Sequence, residues 1–390
     1  MKSEPVVGVQ KEVLRWARRT IGLSVTDVAL RLKCLDEEVD SWENGETTPT
    51  YVQLEKLAYQ LYKRPLAVFF LPTPPEEKLP EHEFRTLPQA DMQTLAADTY
   101  MQIRRAHAYQ LSLIELFEGK NPSNRFIPEE ITLAKEQPIV EQAKKIRDYL
   151  GITLEYQAGL KNDEIALKAW REAIENVGIF VFKAPFKQKD ISGFCIRDED
   201  FPVIYVNNST TKTRQIFSLL HELAHLLLNI NGLSKLDQGY VDRLPSEERK
   251  IEIFCNAIAA EVLLPIKDFI RQSSRFPDDV EQASEEMFSQ LALHYGVSRE
   301  AVLRRFLDQG RVSNSYYAKK AQMWAAQRKP GRGGDWYASQ HAYLSGHFAK
   351  EVVRRHYRQQ ISVEQAADLL GIKAKNFAGL EQRILQGMAA

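Results

Sequence analysis

The chain has 390 residues, 44% apolar and 27% charged, an ordinary globular profile that excludes collagen-like, mucin-like and wholly disordered chains. At about 150 residues per domain, two or three domains are expected. The 52 basic residues balance 52 acidic ones, but residues 311–390 hold thirteen basic and five acidic side chains, a net of +8, so the rest of the chain is acidic. No run approaches the roughly 18 apolar residues of a membrane span, and the charged first thirty residues carry no secretory pattern. Cys34, Cys195 and Cys255 are widely spaced, with no CxxC pair. They fit a reducing compartment, and a cytoplasmic location is expected.

Residues 11–70 read as four or five short helices. Apolar residues fall at helical spacing in Val13-Leu14-Ala17, Val25-Val28-Ala29-Leu32 and Leu54-Leu57-Ala58-Leu61. Ser24 and Asp36 read as N-caps, Gly45 as a stop, and Pro49-Thr50 as the start of the next helix. Pro72, Pro74, Pro75, Pro80 and Pro88 then mark a linker, within which Glu83-Phe84-Arg85 is a candidate docking segment. Helix returns over 91–120, 136–150 and 163–176. Three strand-like runs follow: 178–182, 192–196 and 202–207. A long apolar helix runs from about Thr211 to Ile230, another covers about 246–263 before Pro265, and helices continue to the end with a break at Pro330–Gly334. The fold class expected is mainly α with a small β-sheet (α+β). Two later stretches, Ser289–Ser298 and Ser362–Leu370, echo the helix–turn–helix cadence around Ser24.

The long apolar helix carries His221-Glu222-Leu223-Ala224-His225. Residues four apart share a helix face, so both imidazoles can reach one ion, and neutral imidazole suits zinc. Glu222, one step round the helix, stands where a general base meets water at the metal. A catalytic zinc needs a third protein ligand. Glu252 and Asn256 share a face of the next helix. Glu252 is the favoured ligand, and Asn256 would hydrogen-bond the free ring nitrogen of a ligating histidine. Cys255 is a rival ligand, since thiolate binds zinc, but it lies one residue off that face among apolar neighbours. The strand Val203–Asn207, just before the helix, is either the edge that receives substrate as an added strand or an ordinary core strand.

The HELAH helix, together with Glu252-xxx-Asn256-Ala257-Ile258-Ala259-Ala260-Glu261-Val262-Leu263-Leu264-Pro265, resembles the ImmA/IrrE metallopeptidase family over about 170–310. Cys255 and Ile258 replace that family's usual Ala and Phe. The resemblance implies zinc held by His221, His225 and Glu252, with Glu222 as base, and cleavage of a transcriptional repressor. Residues 11–70 resemble the Cro/XRE helix–turn–helix class through Leu14-xx-Ala17-Arg18, Ser24-Val25-xx-Val28-Ala29 and Trp42-Glu43-Asn44-Gly45 followed by Pro49-Thr50. That class places its third helix in the major groove, which makes Ser24, Lys33, Glu37, Glu38 and Ser41 candidate DNA contacts. Five acids between Asp36 and Glu43 oppose phosphate contact. Arg15, Arg18, Arg19, Arg31 and Lys33 are the available compensation, and a partner-recognition or dimerisation module is the alternative.

The domains expected are therefore 1–71 (helix–turn–helix), 72–160 (Pro-rich linker and connecting helices), 161–310 (zincin-like peptidase) and 311–390 (basic helical extension). The extension interleaves basic residues with Tyr316, Tyr317, Trp324, Trp336, Tyr337, Tyr343, Phe348 and Tyr357, as either a packed cap or a nucleic-acid surface. The function expected is a zinc endopeptidase and transcriptional regulator that cleaves a repressor-like partner or itself, with DNA as a further partner, a homodimer as the assembly and no membrane. The alternative is a non-catalytic regulator, or an antitoxin bound to its toxin, that uses the zinc fold for sensing.

Overall fold

The computed structural model describes residues 4–77, 83–84, 87–235, 238–327 and 335–389. Pro80, Arg85 and the break at Pro330–Gly334 lie outside these. The chain is mainly α-helical with one small four-stranded mixed sheet, the α+β class expected. No helix among the described residues is long and apolar enough to cross a membrane. Contacts divide the chain into two compact units: Met1–Arg105 with Phe186–Lys189, and Ala106–Pro185 with Asp190–Ala390.

In the first unit, α1 (Lys11–Arg19), α2 (Val25–Leu32), α3 (Asp36–Asn44) and α4 (Tyr51–Glu55) follow in sequence, and α4 runs on as a π-helix over Lys56–Tyr62. Ser24 and Asp27 form a reciprocal capping box at the start of α2, which satisfies amide groups the first turn leaves unpaired. Gly45 ends α3 at φ 79°, a left-handed conformation that favours glycine. Asp36 is not the N-cap expected. Leu35 occupies that position, and the Asp36 carboxylate accepts instead from Thr26 Oγ1 at 2.6 Å. Val13, Leu14, Val28, Val39, Trp42 and Leu57 fill the core. Glu43, 4% exposed, is gripped by both arms of the Arg18 guanidinium at 2.7 Å. Phe84 of the linker is buried.

The helix α5 (Ala97–Leu116) begins in the first unit and ends in the second. The second unit continues with α6 (Ile139–Leu150), α7 (Asp163–Glu175), β1 (Phe180–Ala184), β2 (Ile191–Ile196), β3 (Val203–Asn207), α8 (Lys212–Leu227), β4 (Gly232–Lys235) and α9 (Ser246–Leu263). The strand order is β1-β3-β2-β4. β1 runs parallel to β3, and β2 is antiparallel to both β3 and β4. Val203–Asn207 is thus an interior strand, and the two edges belong to β1 and to β4, the latter a short run that the sequence reading left unassigned. The strands are covered on both faces, which explains their continuous apolar character. On one face Val181, Cys195, Ile204 and Val206 share a core with Trp170, Leu219 and Leu223. On the other, Tyr109 stacks on Phe182 at 4.0 Å and Phe194 on Tyr205 at 5.1 Å.

Among the described residues the unit continues with α10 (Glu285–Tyr295), α11 (Arg299–Asp308), α12 (Asn314–Ala326), α13 (Trp336–Tyr343), α14 (Gly346–Tyr357), α15 (Val363–Leu369) and α16 (Phe377–Ala389). Trp324 of α12 joins the main core. Phe348 of α14 meets Phe182 edge-on at 5.5 Å, and Arg171 donates to the carbonyl of Ala342 at 2.8 Å. Much of the basic extension is therefore a packed cap.

Lys183 on β1 is only 5% exposed. Burial, aided by Arg171 and Lys212 and opposed by Glu164 and Glu175, lowers its pKa to about 7. The unfolded chain keeps an ordinary lysine near 10.4. It therefore binds more protons than the fold between these values, and stability rises with pH from about 7 to about 10. Replacing Lys183 by Met is expected to abolish that rise and to stabilise the unit at neutral pH by on the order of 2 kcal/mol. Urea midpoints of the full chain across this pH range would show it; a rise that persists in the variant contradicts the assignment.

Candidate metal centre

Thr211 caps α8, its hydroxyl accepting from the Arg214 amide at 3.3 Å. From Gln215 to Leu227 nearly every residue of the helix is buried, because α8 lies between the sheet, α7 and α9. An apolar helix in that position carries His221, Glu222 and His225 into the core, and α9 brings Glu252 to meet them.

His221 Nε2 and His225 Nε2 lie 3.0 Å apart. Glu252 Oε2 is 3.3 Å from the first, and Oε1 is 3.1 Å from the second. The ligand atoms of these three buried residues fall within 4.8 Å of one another. Burial alone would raise the Glu252 carboxyl, but the two imidazoles outweigh it and hold the group well below the usual carboxylate range. Two imidazole nitrogens and a carboxylate form the donor set of a catalytic zinc site, and a buried His-His-Glu cluster of this kind could hold a metal.

The unmatched polar atoms point the same way. His221 Nδ1, His225 Nδ1 and both oxygens of Glu222 are buried without a hydrogen-bond partner. A buried carboxylate left so is costly, and water held by a cation in the cluster would satisfy it. Asn256 lines the cleft above His221 together with Phe217, Ser234, Lys235 and Tyr240. The hydrogen bond expected from Asn256 to a histidine ring is not formed, since both Nδ1 atoms are unpaired. Cys255 is buried beside His225 but outside the convergent set.

Two contributors escaped the sequence reading. Tyr240, on the turn Gln238–Arg243, donates its hydroxyl to Glu252 Oε2 at 2.7 Å. Burial and the Glu252 charge push its pKa well up, so it remains a donor and orients the carboxylate. Gly232 opens β4 against the helix. A Cβ there would stand 2.6 Å from the His225 ring and 2.8 Å from Glu222 Oε2. The Asn231-Gly232 turn pair was the available signal, but nothing local in it points to a histidine seven residues earlier.

The candidate DNA contacts do not form a comparable cluster. Ser24 is spent on its capping box, and Ser41 Oγ donates to the carbonyl of Glu38 at 2.8 Å. Glu38 Oε1 accepts from Gln53 Nε2 at 2.8 Å. Lys33 and Glu37 are exposed. Of the basic residues expected to offset the acids, Arg18 is consumed by Glu43, and Arg15 donates to the Glu43 carbonyl at 2.7 Å.

Residues 174–307 match the family model described as the IrrE N-terminal-like domain, Peptidase_M78. The match spans α8, β4 and α9, and so every residue of the cluster, and it supports an ImmA/IrrE-type, metallopeptidase-like domain here. No curated protein was found to match the chain.

Gly232→Ala should displace His225 and Glu222 without touching the apolar core. Zinc affinity, read by competition with a chromogenic chelator, is expected to fall about 10- to 100-fold while the circular dichroism spectrum is retained. Unchanged affinity would mean that β4 does not support the site.

Proposed function

We propose that the chain is a zinc-dependent endopeptidase that cleaves a regulatory protein, a repressor-like partner or the chain itself. The observation that carries this reading is the Glu222 carboxylate, fully buried one residue after His221 on the helix that supplies two of the three convergent ligands. A site that served structure alone would have no use for it.

Zinc held by His221, His225 and Glu252 would supply Lewis acidity at the scissile carbonyl and make water there easier to deprotonate. Glu222 takes the proton from the attacking water and passes it to the departing amine as the C–N bond breaks. Tyr240 keeps the Glu252 carboxylate in orientation. Gly232, lacking a side chain, leaves His225 and Glu222 in place beside the sheet edge. An extended peptide fits as an added strand along β4, where backbone hydrogen bonds would hold it and cleft side chains would select it. The second reading, a non-catalytic regulator or antitoxin, rests on the N-terminal helix–turn–helix arrangement, whose acidic third helix suits a protein partner.

Glu222→Gln keeps the ligand set and removes the base. Its cleavage rate is expected to fall about 10²- to 10⁴-fold with zinc content unchanged. New protein N-termini, compared between cells expressing the wild-type chain and this variant under stress, would identify the substrate. An absence of Glu222-dependent termini, with an intact protein co-purifying, would favour the regulator or antitoxin instead.

A further inference from the structure

The helix–turn–helix cadence at Ser362 is matched in three dimensions. At a constant offset of 338 residues from the N-terminal unit, Ser362 repeats Ser24 as an N-cap, and both build a reciprocal capping box with the residue three further on. Gly371 repeats Lys33 at the turn, with φ of 69° and 59°. Ala366, Ala367, Phe377 and Leu380 are buried at the positions of Val28, Ala29, Val39 and Trp42. Val352 on α14 repeats Leu14 on α1. Thus α14, α15 and α16, with the turn Ala374–Asn376 leading into the last, form a second three-helix unit of the same design.

The two units differ in the charge of the surface that such a fold offers to a groove, the turn and outer face of the third helix. At six equivalent positions the N-terminal unit has Leu35, Asp36, Glu37, Asp40, Ser41 and Asn44, a net of −3. The C-terminal unit has Lys373, Ala374, Lys375, Ala378, Gly379 and Gln382, a net of +2. Lys373 and Lys375 are exposed and have no ion-pair partner among the described residues. Tyr337 packs over Gly379, where a Cβ would lie 2.5 Å from its ring. Contact is thereby confined to the turn that leads into the third helix, where the lysines stand. Glu364 and Asp368 on α15 restrict the positive surface further.

The third echo, α10 with α11, lacks this freedom. Arg299 is paired with Glu285 at 3.0 Å, Arg304 with Asp308 at 3.0 Å, and Arg305 with Glu261. Its second helix is also covered by α12, with Trp324 in the core.

We propose that the unit α14–α16 binds duplex DNA through Lys373 and Lys375 in the turn that leads into its third helix, and that the N-terminal unit does not. This inference is independent of the peptidase reading. The test uses the full chain and a fluorescein-labelled mixed-sequence DNA duplex, with affinity followed by anisotropy between about 50 and 200 mM salt. Lys373→Ala/Lys375→Ala is expected to weaken binding at least about tenfold and to flatten the slope of log K against log salt by about 2. Glu37→Gln/Asp40→Asn is expected to change neither. Both pairs include exposed surface positions, so loss of fold is a readily checked alternative by circular dichroism. Wild type without measurable duplex affinity would overturn the proposal. So would a lysine double variant that binds like wild type, or an RNA competitor that displaces the DNA at stoichiometric amounts.

Discussion

Bringing two imidazoles and two carboxylates together inside an apolar core is the demand that shapes the second unit. Each such group buried without a partner is costly, so the surrounding elements must hold them in one mutually useful arrangement. α8 is buried on nearly every side because the sheet, α7 and α9 enclose it. The enclosure leaves Glu252, His221 and His225 little option but to face one another. Tyr240 and Gly232 complete it, the first by holding a carboxylate oxygen and the second by leaving the volume that a side chain would take.

The same economy of polar groups distinguishes the two three-helix units, α1–α3 and α14–α16. In the first, Glu43 is buried and must be compensated, so Arg18 and Arg15 turn inward and leave the outer face of α3 acidic. In the C-terminal unit the equivalent acid, Glu381, is half-buried, and among the described residues Arg354 and Arg355 of α14 pair with Glu351 instead. Lys373 and Lys375 remain on the surface. Similar three-helix arrangements thus present opposite charge, and what each can approach follows from where its arginines and lysines are spent.

The sheet shows how covering elements set the role of a strand. With α7 and α8 on one face and an aromatic layer from α5 and α14 on the other, β1, β2 and β3 are buried along their whole length. The edge beside the histidine helix falls to β4, four residues long. A short edge limits unwanted pairing with other chains while keeping one row of backbone groups next to the candidate metal centre.

By itself, the sequence determined the elements whose cause is local. The spacing of His221, Glu222 and His225 on one helical repeat, the Glu252 face of the next helix, the caps at Ser24 and Ser362, and the three apolar strands all rest on periodicity or on a side chain bonding its own backbone nearby. Tertiary structure decided what depends on distant partners. Which strands became the edges followed from the pairing order, and β4 was too short to carry a periodic signal. Tyr240 and Gly232 entered the site through contacts that no spacing encodes, and the fate of Arg15 and Arg18 was settled by a glutamate more than twenty residues away.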